Sequence, residues 1–203
     1  MYKQQIDSYF ADPARRAQLV EHISRLVRVR SVREEAKPGM PFGPGPAAAL
    51  AEGLKLAEEL GFSVQNYDNY VGTVDLNGQD TALHILCHLD VVGEGTGWTV
   101  TAPYEPKEVD GMLYGRGTDD DKGPACAVLM AMQAVKDLGV PLKHNARLIL
   151  GTDEESGSKD LAYYYGKEPY APYTFSPDGE FPHINIEKGS YRPVYTKSWV
   201  AET

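Results

Sequence analysis

The sequence predicts an α/β domain in which a mixed, mostly parallel sheet is covered by helices. Short apolar runs of strand length alternate along the chain with segments whose apolar residues recur at helical spacing. That alternation is typical of a sheet with helices packed on it. One pair of strand-like runs is separated by Asn77-Gly78, a dipeptide typical of tight hairpin turns, so we expect at least one antiparallel pair.

Four helices are predicted. Asp12-Pro13 marks the start of the first, because aspartate is a common N-cap and proline is favoured at the first helical position. The second covers roughly 46–60 and the third 122–138, and each is followed by a glycine of the kind that ends helices. A short fourth helix is expected within 158–166.

The predicted strands lie on both sides of Asn77-Gly78 and in the runs RLILGT, YTFSPDGEFP and HINIEKGSYRPVYTKS, the last turning at Lys188-Gly189. The run RVRSVREEAKPGMPFGPGP and most of 93–116 are rich in glycine, proline and polar residues, which indicates loops.

Composition excludes some classes of partner. The net charge of −9 argues against binding to a nucleic-acid backbone, which needs clustered lysine and arginine. No stretch reaches the roughly 18 consecutive apolar residues of a membrane span, and the N-terminal segment lacks the apolar core of a secretory signal. Cys87 and Cys126 lie in apolar segments and are expected to be buried thiols. These features predict a cytoplasmic location without a membrane partner.

Acidic residues and one histidine collect where predicted strands end. His88 and Asp90 follow ALHILC, Glu154 and Glu155 follow RLILGTD, Asp178 follows YTF, and Asp119, Asp120 and Asp121 precede the third helix. The carboxyl ends of strands in an open α/β sheet share one rim, where ligands bind. We therefore expect these side chains to converge, although the triple aspartate is also compatible with a helix N-cap.

A cluster of carboxylates around one imidazole indicates a metal site, since the carboxylates would otherwise repel one another. Histidine nitrogen with carboxylate oxygen suits zinc. Two metals about 3.5–4 Å apart would polarise a carbonyl and hold a bridging hydroxide. Of the adjacent pair Glu154 and Glu155, one would bind metal and the other act as general base. Geometry alone leaves open which glutamate does which.

Five strings occur in a characteristic order: HLDVV, GWTVTAPYEP, DGMLYGRGTDDDKGP, GTDEESGS and SPDGEFP. They resemble the dinuclear-zinc exopeptidase family of carboxypeptidases, aminoacylases and dipeptidases. The match is closest to its bacterial dipeptidase branch, the PepV-type enzymes also described as carnosinase-like or Xaa-His dipeptidases. The resemblance covers about residues 60–190 and implies a zinc-dependent dipeptidase that hydrolyses small peptides.

The resemblance also implies a role for each residue. It implies two zinc ions, with manganese or cobalt as substitutes, and these positions: His88 and Asp178 as ligands of the first zinc, Asp90 supporting His88, Asp120 as the bridging carboxylate, Glu155 as a ligand of the second zinc, and Glu154 as the general base.

The chain departs from the family pattern at its end. Full members have an inserted lid domain and a returning segment with a second ligand histidine, and none of His22, His84, His144 and His183 fits that position. We therefore expect residues 1–203 to be the N-terminal part of the catalytic domain, inactive alone and able to self-associate through its truncated face. The alternatives are a related carboxypeptidase or N-acyl amino acid hydrolase, and a non-catalytic metal-binding domain.

Overall fold

The computed structural model describes residues 2–179, 184 and 193–198. The helices are α1 (Tyr2–Ala11), α2 (Pro13–Val27), α3 (Pro44–Glu59), α4 (Lys122–Asp137) and α5 (Lys159–Tyr165). The strands are β1 (Ser63–Tyr67), β2 (Val71–Asp75), β3 (Thr81–His88), β4 (Lys107–Val109), β5 (Met112–Tyr114), β6 (Asn145–Gly151) and β7 (Tyr173–Phe175). A single 3-10 turn, Glu154–Ser156, follows β6.

The main sheet has the strand order β1-β2-β6-β3-β7. β6 and β7 both pair with β3 in parallel, whereas β2 pairs with β1 and with β6 in antiparallel fashion. Within the described part of this sheet, β2 alone therefore runs against the other four strands. The predicted mixed, mostly parallel sheet is confirmed.

The predicted hairpin around Asn77-Gly78 is wrong, because β6 lies between β2 and β3. β6 takes this central place because Leu148, Ile149 and Leu150 are all apolar and at most 1% exposed, as in strands covered on both faces. The buried side chain of Asn145 joins the two flanking segments: it accepts the N–H of Asn77 at 3.0 Å and donates to Thr81 Oγ1 at 2.9 Å.

Helices cover the two faces of the sheet unequally. Leu148 and Leu150 point into the main core, which is formed with residues of α2, α3 and α4. Ile149 points to the opposite face, where it packs in a smaller cluster with Tyr164 of α5. The alternation of side chains along a strand explains how one short run supplies both cores.

The predicted helices 46–60, 122–138 and 158–166 correspond to α3, α4 and α5. α2 begins as predicted: Asp12 accepts the N–H of Ala14 at 2.9 Å, and proline follows it. α1 was not predicted because it has no buried residue, and hence no apolar face to recognise. Cys87 and Cys126 are buried and free, as predicted.

Four short strands differ from the predicted loops and strands. β1 joins β2 through a turn in which Asp68 and Asn69 have positive φ. β4 and β5 form a hairpin at Asp110-Gly111, inside the segment predicted as loop. Of the described part of the strand predicted at 173–182, β7 covers the start and 176–179 are not in a strand. The predicted turn at Lys188-Gly189 lies outside the described residues, and the described residues 193–198, predicted as strand, are not in one. Among the helices of the described chain, none has the length and apolar character of a membrane span.

Candidate metal centre

The candidate site lies where three parallel strands end. His88 is the last residue of β3 and stands opposite Gly151, the last residue of β6. The segment after β6 carries Glu154 and Glu155, and the segment after β7 carries Asp178. Asp120 reaches the same rim from the loop before α4. The topology thus brings together residues that are far apart in sequence, as expected for the carboxyl edge of a parallel sheet.

The Nε2 atom of His88 is the centre of this arrangement. It lies 2.9 Å from Asp120 Oδ1, 3.3 Å from Asp178 Oδ2 and 3.9 Å from Glu154 Oε2. It is nevertheless buried without a hydrogen-bond partner in the described structure. A buried nitrogen that faces carboxylate oxygens but bonds to none of them fits a cation held between them.

His88, Asp120 and Asp178 form the group with metal-binding geometry: one ligand atom from each lies within 4.8 Å of the other two. An imidazole with two carboxylates matches the ligand preference of zinc. Glu155 lies outside this group of three. Burial and the carboxylate of Asp120 raise the pKa of Glu155, so its charge is close enough to interact with the site.

The cluster is buried on the histidine side and open on the carboxylate side. The side chain of His88 is 3% exposed, whereas those of Asp120 and Glu154 are 59% and 49% exposed. A cavity of about 270 Å³ adjoins it. Its lining residues are Leu86, Cys87, His88, Gly151, Glu154, Ser158, Asp160, Leu161, Ser176 and Asp178. A small ligand could therefore reach the carboxylates from solvent.

The His88 ring is oriented by the backbone of Asp90. Nδ1 lies 3.0 Å from the carbonyl oxygen of Asp90 and 3.5 Å from its carboxylate Oδ1. A proton on Nδ1, donated to that carbonyl, leaves the Nε2 lone pair free for a metal. The carboxylate itself accepts the backbone N–H groups of Glu154 and Glu155, each at 3.2 Å. Asp90 thus contacts the ring most closely through its backbone carbonyl, while its carboxylate lies between the ring and the turn at 154–155.

Two further charged residues, Asp121 and Lys122, are buried next to Asp120 and bond to backbone groups of neighbouring segments. Asp121 is fully buried, and its Oδ2 accepts the backbone N–H of His88 at 3.0 Å. Lys122 is also fully buried, and its Nζ donates to the carbonyl of Val29 at 2.8 Å. Asp121 stands at the N-cap position of α4 without a side-chain hydrogen bond to the helix. Sequence reasoning gave it no role because nothing distinguishes the three consecutive aspartates.

Without a metal ion, several ionisable groups of the site have pKa values far from their ordinary ones. Burial lowers the pKa of His88, but the carboxylates of Asp90 and Asp121 outweigh burial and raise that pKa to about 10. Burial raises the pKa of Asp121 to about 7. Burial, together with the nearby carboxylates of Asp178, Asp90 and Asp120, also raises the pKa of Glu154, against the opposing effect of His88. The shift of His88 reflects the carboxylates around it, whose negative charge a cation would offset, whereas the shifts of Asp121 and Glu154 are due chiefly to burial.

We expect the metal-free chain to gain stability as the pH falls from about 7 towards 5. A carboxyl group whose pKa is higher in the folded state destabilises the fold above that pKa and ceases to do so below its unfolded value. For Asp121 this window runs from a pKa of about 7 in the folded state down to its ordinary pKa of 3.8. Burial raises the pKa of Asp160 in the same direction. Burial lowers the pKa values of His22 and His84, which opposes the trend, so the contribution of Asp121 is measured as the difference between the wild type and Asp121→Asn.

Thermal unfolding in the presence of a chelator measures this effect. The melting temperature should rise between about pH 7 and pH 5, and Asp121→Asn should reduce the rise. With saturating zinc the trend should invert, because protons compete with the metal for the ligands. A melting temperature that falls on acidification without metal, equally in the wild type and in Asp121→Asn, would contradict this account of the rim.

Comparison with known proteins gives a family match and several relatives. Residues 84–191 match the family described as peptidase family M20/M25/M40. A Bacillus subtilis protein named "Putative dipeptidase YtjP" is 40% identical over 173 residues, which are 84% of this chain. The chain spans 37% of the length of that relative.

Solved structures show the same fold. Human carnosine dipeptidase 1 superposes with a TM-score of 0.68 and 28% identity, over 80% of this chain and 38% of the human chain. Bacillus subtilis YxeP, described as a dinuclear metal binding peptidase, superposes with a TM-score of 0.60 over 81% of this chain and 43% of its own. Its 13% identity makes it a comparison of fold alone.

Proposed function

The chain belongs to the peptidase family M20/M25/M40, and on that premise we propose that it carries the metal-dependent catalytic centre of a dipeptidase. One observation carries the proposal: the buried Nε2 of His88 has no hydrogen-bond partner in the described structure and faces the carboxylates of Asp120, Asp178 and Glu154.

The metal we propose is zinc, with two ions per complete enzyme and with manganese or cobalt able to replace it. His88 and Asp178 would hold the first ion, Asp120 would bridge, and Glu155 would contribute to the second. One nitrogen with several carboxylate oxygens supports zinc, and the nearby carboxylate of Glu155, outside the group of three, supports a second ion. Such ions, when bound, polarise the scissile carbonyl and lower the pKa of water.

Glu154 would act as the general base. Its Oε2 lies 3.9 Å from His88 Nε2, and its side chain is half exposed towards the open side of the cluster. Burial and neighbouring carboxylates raise its pKa, which makes it a stronger base than a free glutamate. It would accept the proton of the attacking water on a carboxylate oxygen and then donate that proton to the leaving amine nitrogen.

The proposed substrate is a dipeptide. The names of the Bacillus subtilis relative and of human carnosine dipeptidase 1 support this class, and the cavity beside His88 has the volume of a small ligand. A carboxypeptidase or an N-acyl amino acid hydrolase would use the same centre and would differ only in the end of the substrate that it recognises.

We propose further that residues 1–203 form the N-terminal part of the catalytic domain and have little activity alone. The chain spans 37% of the length of the Bacillus subtilis relative, which supports this proposal. On this proposal the isolated chain would bind metal without completing the reaction. The proposal places the protein in the cytoplasm, without a nucleic-acid or membrane partner. Tyr170, Tyr173 and Phe175 at the β7 edge are 74%, 71% and 49% exposed, which supports self-association of the isolated chain.

Substrate profiling of the intact protein tests the proposal. Unblocked dipeptides should be hydrolysed, activity should disappear with a chelator, and zinc, manganese or cobalt should restore it. The isolated 203-residue chain should show little of this activity. Preference for N-acylated amino acids or for longer peptides would favour the alternatives, and hydrolysis that survives complete metal removal would contradict the proposal.

A further inference from the structure

Four consecutive backbone N–H groups in the turn after β6 all bond to buried carboxylates. Those of Thr152 and Asp153 donate to Asp160 Oδ2 at 2.6 and 3.0 Å. Those of Glu154 and Glu155 donate to the two oxygens of Asp90, each at 3.2 Å. Both carboxylates are 1% exposed. We call this arrangement of Asp90 and Asp160 around residues 152–155 the carboxylate clamp.

The clamp grips the turn that carries Glu154 and Glu155. Asp90 holds it from the β3 side and Asp160 from the first turn of α5, where its other oxygen, Oδ1, accepts the N–H of Leu161 at 2.7 Å. Hydrogen bonds from backbone N–H groups to an ionised carboxylate are stronger than those between neutral groups. The turn is therefore fixed at both ends by bonds that involve no side chain of the proposed metal ligands.

The Asp160 carboxylate can approach the turn because Gly151 has no side chain. A Cβ atom at position 151 would lie 2.5 Å from Asp160 Oδ2. Only glycine leaves room for the carboxylate to reach the N–H groups of the next two residues. Asp160 is part of the inconspicuous string SKD, and neither its spacing nor its neighbours in sequence single it out.

We propose that Asp160 is a positioning residue of the metal centre, which acts through the turn 152–155 on Glu154 and Glu155. The inference rests on the proposed function and deepens it. Asp160 bonds to none of the proposed ligands, but it fixes the backbone from which the general base and a ligand of the second ion extend. Loss of one carboxylate of the clamp would let the turn shift relative to His88, which belongs to a different strand.

Three variants of the 203-residue chain test this inference. Asp160→Ala removes all three hydrogen bonds. Asp160→Asn keeps one oxygen that can accept the N–H groups of Thr152 and Asp153, so it should be intermediate. Tyr164→Phe is the matched control: it lies in the same helix, is fully buried, and loses one hydrogen bond, from Arg147 at 3.2 Å, without contact to the clamp.

Two measurements separate positioning from general destabilisation. Amide hydrogen exchange at residues 152–155, measured without metal, reports how well the clamp protects these N–H groups. Chelator competition measures zinc affinity, and the absorption spectrum of the Co²⁺-loaded chain reports the arrangement of the ligands. Asp160→Ala should accelerate exchange at Thr152 and Asp153, lower zinc affinity about 10- to 100-fold and alter the Co²⁺ bands. Tyr164→Phe should leave exchange at these residues, affinity and bands at wild-type values.

The inference is overturned if Asp160→Ala and Asp160→Asn keep the zinc affinity and Co²⁺ spectrum of Tyr164→Phe while the wild-type chain binds zinc. That outcome leaves the proposed function intact. A wild-type chain that binds no zinc would instead defeat the proposed function, and the positioning role of Asp160 with it. If Asp160→Ala does not fold, the intermediate affinity expected of Asp160→Asn decides the question.

Discussion

Replacing Glu154 with glutamine is expected to lower kcat for dipeptide hydrolysis by the intact protein about 10²- to 10⁴-fold. Glutamine has nearly the same shape but cannot accept a proton at the position that lies 3.9 Å from His88 Nε2. Because Glu154 is assigned to proton transfer and not to metal binding, the metal content should stay at the wild-type value. Steady-state kinetics and metal analysis of the same preparation measure both effects.

The matched control for this substitution is Glu58→Gln on the exposed side of α3, which changes the same charge far from the rim and should leave kcat unchanged. Metal loss in Glu154→Gln would assign Glu154 as a ligand and exchange its role with that of Glu155. Activity close to that of the wild type, with metal bound, would remove Glu154 from the proposed chemistry.

Replacing His88 with alanine is expected to lower zinc affinity at least about 100-fold, since even the loss of an outer-shell partner typically weakens affinity 10- to 100-fold. His88 contributes the only nitrogen of the three-residue group with metal-binding geometry in the described structure. Without it, Asp120 and Asp178 keep their mutual repulsion and lose the ligand between them. Isothermal titration of the metal-free chain with zinc measures the change.

His84→Ala is the control for His88→Ala. His84 lies on the same strand, is 2% exposed, and has its Nδ1 3.1 Å from the hydroxyl of Tyr165. Its loss should destabilise the fold to a similar degree without changing zinc affinity. Equal effects of the two substitutions on affinity would mean that β3 packing, and not the His88 imidazole, determines metal binding.

The sequence predicted the elements whose signals are local. The N-cap at Asp12 marks α2, and the glycines at 61 and 139 follow α3 and α4 closely. The pairing of strands was less predictable. Asn77-Gly78 is typical of a hairpin between the strands on either side of it, but those strands pair instead with β6, which comes much later in the sequence. The apolar strand β6 lies at the centre of the sheet, between β2 and β3, and nothing in the sequence of residues 71–88 indicates that a third strand separates them.

The residues of the candidate site also differ in how well the sequence predicts them. His88, Asp120 and Asp178, the group with metal-binding geometry, could be predicted as neighbours because His88 and Asp178 stand at strand ends and all three lie in recognisable strings. Asp121 and Asp160 could not, since their partners are backbone N–H groups of distant segments. For Asp90, the sequence indicated the contact with His88 but not that the carboxylate is directed to the turn at 154–155. Unlike the N-cap at Asp12, whose partner lies two residues away, contacts with backbone groups of other segments leave no pattern in the sequence.

The most direct test of the metal centre is the position of zinc in crystals of the chain, located by anomalous scattering at the zinc absorption edge. The account predicts a peak about 2.0–2.1 Å from the Nε2 of His88 and about 2.0–2.2 Å from carboxylate oxygens of Asp120 and Asp178. A zinc-loaded crystal with no peak there, or with zinc bound only elsewhere, would contradict it.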